Sequence, residues 1–66
     1  MYTFGQQLLK NRHFYDHFRQ EMPVQIYRHG IPVDIGLITA YDHQFIEMNH
    51  ILYHRQRHTF VSRPGY

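Results

Sequence analysis

The spacing of apolar residues changes at Pro23, from three-and-four before it to two after it. That change implies a helical segment followed by strands. Before Pro23, Phe4, Leu8, Tyr15, Phe18 and Met22 form a narrow stripe that skips the turn at Asn11. Thr3 is placed to be an N-cap, with Gln6 in the capping-box position. A helix is expected over Thr3–Met22, with Gly5 and Asn11 as weak points that divide it into two shorter pieces. Pro23 ends it by disfavouring helical backbone at Met22. Beyond, Val24–Tyr27 alternates, His29-Gly30 reads as a turn, and Ile31–Tyr41 forms a strand interrupted at Gly36. A glycine inside a strand marks a bulge or sharp bend. Asp42-His43 and Asn49-His50 read as further turns, and Gln44–Met48, Ile51–Arg55 and His58–Ser62 as the remaining strands. Short strands joined by tight turns indicate a small barrel or sandwich.

With 66 residues the chain allows one domain, divided into a helical segment (1–22), a strand region (23–63) and a tail (64–66). A domain this small buries only about 60 % of its unfolded surface. Its usual supports are disulfides, metals or oligomerisation, and the absence of cysteine removes the first. No apolar run has the length of a bilayer span, about 20 residues. Met1–Lys10 lacks the basic start and apolar run of a secretory signal. The expectation is a cytoplasmic protein with no membrane partner.

The formal charge is only +2, yet Arg55, Arg57 and Arg63 stand together with no acid from His54 onward. Protonating all seven histidines would carry the charge from +2 to +9, a change centred near about pH 6.5 for a free imidazole. In the hairpin Tyr53-His54-Arg55-Gln56-Arg57-His58, arginine suits phosphate and tyrosine suits base stacking. The competing reading is a set of charges guarding a sheet edge. His13 and His17 have helical i,i+4 spacing, but two ligands do not close a metal site. His54 and His58 would need a turn at Gln56 to meet. Tyr2, Tyr27, Tyr41, Tyr53 and Tyr66 suit interfaces or packing. Asp42 fits a turn better than a general base. No nucleophile elbow, phosphate loop or carboxylate pair is present, so neither an enzyme nor a metal or other cofactor is expected.

Met22-Pro23-Val24-Gln25-Ile26-Tyr27, then His29-Gly30-Ile31, Gly36, Tyr41-Asp42 and Tyr53-His54, together resemble the Sm-like family, and within it the bacterial Hfq proteins. The likeness runs over Phe14–Ser62. The interval from Gly30 to Gly36 and the turn after Asp42 are each one residue longer than the family pattern. The lysine that the family places before its histidine is missing between Tyr53 and His54. The resemblance implies a mainly β fold, an N-terminal helix on a small five-stranded Sm-like or SH3-like antiparallel barrel. It also implies a homo-oligomeric ring pairing the fourth and fifth strands of neighbours. Tyr27 would then stack on a base, and Tyr53 and His54 would lie near the pore. The resulting expectation is binding of RNA or other single-stranded nucleic acid through Tyr27, Tyr53, His54, Arg55 and Arg57. The alternative is a self-assembling structural or interaction module, spore-associated or part of another particle.

Overall fold

The computed structural model of the chain contains one helix, α1 (Asn11–Arg19), and six strands. These are β1 (Val24–Arg28), β2 (Ile31–Gly36), β3 (Ile38–Tyr41), β4 (Phe45–Met48), β5 (Ile51–His54) and β6 (Thr59–Ser62). They form two three-stranded antiparallel sheets, ordered β2-β1-β6 and β3-β4-β5. The five-stranded closed barrel expected from the sequence is not formed. The predicted second strand divides at Leu37 into β2 and β3, which pair in different sheets. Gly36, the last residue of β2, lies close against the β4–β5 turn. A β-carbon there would lie 3.0 Å from the Asn49 side-chain nitrogen and 3.3 Å from Met48 Cγ.

The helix is shorter than the periodicity predicts. Gln6 does reach back to Thr3, its Oε1 accepting the Thr3 N–H at 3.1 Å, but this closes only a turn. Gly5 follows the left-handed path at φ +88°, and the next residues are extended. The Gly5 and Leu8 amides donate to the Ser62 and Phe60 carbonyls, and the Ser62 amide donates to Gln6. The N-terminal segment therefore covers the outer edge of β6. Helix begins only at Asn11, where His13 Nδ1 accepts the Leu9 and Lys10 amides at 2.9 and 3.2 Å. These bonds hold the N-cap residue Lys10 and the residue before it at the entrance to the helix. At the other end the Met22 amide returns to the His17 carbonyl and the Glu21 amide to Phe18. Glu21 sits at φ +51°. That is a Schellman stop with glutamate where glycine is usual.

The core gathers Leu8, Phe14, Val24, Ile26, Ile38, Ile46, Met48, Tyr53 and Phe60. α1 turns Phe14 and His17 inward, not the predicted stripe. Phe4, Tyr15 and Phe18 are exposed, while Leu8 enters the core from the extended segment. Two hairpin turns match the sequence reading. His29-Gly30 has φ +52° and +76°, and Asn49-His50 has +53° and +66°. Each lies between a closing pair, Arg28–Ile31 and Met48–Ile51. Two-residue loops with both φ positive match the right-handed twist of their strands. Asp42 holds the β3–β4 turn, its Oδ1 accepting the Gln44 and Phe45 amides at 2.8 Å each. These bonds lower its pKa. No helix is long and apolar enough to cross a membrane.

Candidate functional site

β1 pairs with both β2 and β6, with Tyr27 opposite Thr59. Consequently the β1–β2 turn and the β5–β6 turn lie side by side. Between them opens a cleft of about 420 Å³, lined by Arg28, His29, Gln56, Arg57, His58 and Thr59. The lining contains no acid and no apolar residue. Neither Arg28 nor Arg57 is committed to an ion pair, the molecule's one salt bridge being Arg12–Asp16. Two guanidinium groups in a polar, acid-free cleft have the chemistry to hold an anion, since each carries a fork of N–H donors at fixed charge.

The five residues expected to bind nucleic acid separate on folding. Arg57 alone lines the cleft. Tyr53 is a core residue, only 8 % exposed, and its hydroxyl donates to Asp34 Oδ2 at 2.6 Å. Burial and then that bond raise its pKa to about 12. Its ring is therefore closed to a base, contrary to the sequence expectation. Arg55 is a buttress. Its Nη1 donates to Asn11 Oδ1 and to the Asp42 carbonyl, both at 2.7 Å, and its guanidinium lies 4.5 Å from the Phe14 ring centroid. His54 packs edge-on against Phe45 at 5.1 Å, and its Nδ1 accepts the Gln56 amide. Tyr27 is half-buried beneath Arg63, which donates to its hydroxyl at 2.7 Å and to Gln25 at 2.8 Å. Arg63 also stacks on the exposed Phe4 ring at 4.7 Å.

Sequence reasoning passed over Arg28 and His29. The available signal was a basic pair beside a turn, but their link to Arg57 depends on β1–β6 pairing, a contact between segments far apart in the chain.

A second cluster resembles a nucleophile and its base. His17 Nδ1 lies 2.7 Å from the His13 carbonyl, and Nε2 lies 2.7 Å from Ser62 Oγ. A carbonyl only accepts, so Nδ1 carries the proton and Nε2 accepts from the serine hydroxyl. Both side chains are fully buried, and the Ser62 amide and carbonyl are taken by Gln6 and Gly5. The pair ties the helix to β6 and offers a substrate neither entry nor a free amide. Tyr2 closes over it, 4.4 Å from the His17 ring, with its hydroxyl on Asp16 at 2.7 Å. Both nitrogens of His17 are thus committed, and the i,i+4 histidine pair forms no chelate. No cluster of three or more possible ligands is placed to hold a metal ion.

Comparison with family models, curated proteins and solved structures finds no match to this chain.

Proposed function

We propose that the protein binds single-stranded nucleic acid, RNA foremost, by holding backbone phosphate in the cleft between the β1–β2 and β5–β6 turns. The observation that carries this reading is the convergence of Arg28 and Arg57 on one acid-free cleft. Phosphate contacts supply most of the affinity of sequence-tolerant binding. Arg55, Tyr53 and His54 support the hairpin from behind, so the ligand-facing set becomes Arg28, His29, Arg57 and His58. The test is a polarisation titration with short labelled A-rich and U-rich RNAs at low and moderate salt. Arg28→Ala with Arg57→Ala should weaken binding and flatten the logarithmic salt slope by about 1.4, from about 0.7 per single-strand phosphate contact. Absence of binding at low salt, or a double variant with the original slope, would sink the reading.

A second reading is favoured by one separate observation. Edge strands β2 and β5 leave Ile31, Val33, Ile51 and Leu52 exposed. Open edges of this kind pair with other chains unless blocked, which suits a self-assembling module. Such association would persist at high salt, whereas phosphate binding would fade.

A further inference from the structure

We propose that the cleft takes up its phosphate together with protons on His58 and His29, so that nucleic-acid binding tightens as pH falls below neutrality. This rests on the reading of the cleft as a phosphate site and specifies how that site is regulated.

One hydrogen bond fixes which ring nitrogen of His58 carries a hydrogen. His58 Nδ1 lies 2.9 Å from the His54 carbonyl. The carbonyl can only accept, so Nδ1 bears a hydrogen in either charge state. Neutral His58 therefore has a bare lone pair at Nε2, an acceptor on a residue that lines a cleft whose ligand needs donors. Protonation places an N–H at Nε2 and a positive charge on the ring, and it leaves the Nδ1 bond intact. The ring is already held in place, its edge against Tyr53 at 5.3 Å and its plane tilted to Phe60 at 6.4 Å. The donating form thus needs no rearrangement. His29 sits at the apex of the opposite turn at φ +52°, and its ring makes no hydrogen bond within the chain.

The groups around these imidazoles set the direction of coupling. Arg28 is the last residue of β1, and Gln56 and Arg57 come from the β5–β6 turn. Behind His58, Tyr53 is a neutral phenol whose hydroxyl is spent on Asp34. No carboxylate lines the cleft. A phosphate held in the cleft attracts charged imidazoles, so anion and proton each strengthen the binding of the other, as linkage requires. Histidine is the side chain whose ordinary charge change falls between about pH 5 and 8, which sets the range of the effect.

The experiment is a polarisation titration of the folded protein with one short labelled RNA lacking terminal phosphates, at constant ionic strength, from about pH 5.5 to about pH 8. The expected result is binding tighter by about tenfold at the acidic end, the change that one full pKa unit of linkage carries. His58→Gln should remove a large part of this dependence, and His29→Gln with His58→Gln should abolish it. The double variant keeps five of the seven histidines, so loss of its pH dependence separates the cleft from a general rise in charge. Far-UV circular dichroism at each pH verifies that every protein compared is folded. A flat wild-type profile with measurable binding overturns the proton linkage alone. A double variant that retains the wild-type slope also overturns it. Absence of binding at every pH overturns both the linkage and the nucleic-acid reading.

Discussion

Arg55 and Arg57 flank Gln56, but the first is folded back onto Asn11, Asp42 and Phe14 while the second opens to the cleft. Their alanine variants should therefore differ in kind. Arg55→Ala releases two short hydrogen bonds and a cation–π contact and should cost about 1–3 kcal/mol in urea denaturation. Arg57→Ala should leave stability within about 0.5 kcal/mol and weaken only the salt-sensitive binding. A loss of binding in folded Arg55→Ala as large as that in Arg57→Ala would contradict this division. His17 gives a separate handle on stability. Burial lowers its pKa, outweighing the His13 carbonyl bond and the nearby Asp16 charge that act to raise it. Because the folded value lies below the unfolded value of about 6.5, its contribution is fully present above that pH. It is lost as pH falls through the folded value, since the unfolded chain binds the proton first. Denaturation midpoints should thus decline from about pH 7 into mild acid, and His17→Gln should flatten that decline. An unchanged decline would place its origin in another group. Asp16 and Asp42, both held below the usual carboxylate range, act in a separate and more acidic window.

At the scale of elements, the helix terminus is the most improvable feature. Glu21 occupies the left-handed position of the Schellman stop at φ +51°, a conformation that costs an L-residue about 1 kcal/mol or more. Glycine there carries no such steric cost, though it adds freedom to the unfolded chain. Glu21→Gly should raise stability by about 0.5–1 kcal/mol, a rise in Tm of a few degrees for a domain this small. No change or a fall in Tm would mean that the terminus is supported in some other way. The N-terminal segment matters for a different reason. It completes the hydrogen bonding of β6 and delivers Leu8 to the core, so it is part of the sheet although it precedes the helix.

For the whole molecule, a domain of this length is stable by about 3–10 kcal/mol, at about 0.05–0.15 kcal/mol per residue. Each buried tie is thus a sizeable fraction of the total. With the outer edge of β6 covered, β2, β3 and β5 remain as edges, and among them β2 and β5 carry exposed aliphatic side chains, Ile31 at 63 % and Leu52 at 61 %. If these edges drive association, Ile31→Lys and Leu52→Lys should lower the sedimentation mass at high protein concentration, since edge lysine blocks strand pairing. A monomeric wild type at all concentrations would remove that second reading and leave the cleft as the only candidate interface.

Local chemistry was legible in the residues themselves. The switch from helix to strands around Pro23 and the turns at His29-Gly30, Asp42-His43 and Asn49-His50 depend on near neighbours and appear in the structure, while the interruption expected at Gly36 falls one residue later, at Leu37. The helix start was misread because Gln6 satisfies Thr3 locally, while the competing gain, strand pairing of Gly5–Leu8 with β6, comes from residues more than fifty positions away. The sheet arrangement was misread for a related reason. A glycine marks a bend, but whether its two halves pair in one closed barrel or in two sheets depends on which strands reach them. The candidate site followed the same rule. Residue types alone marked the Tyr53–His58 hairpin as basic and aromatic. Strand alternation and tertiary partners then sent Tyr53 into the core and Arg55 onto the helix, and left Arg57 free. β1–β6 pairing brought Arg28 and His29 to it, a juxtaposition set by long-range hydrogen bonds and core packing that no local pattern encodes.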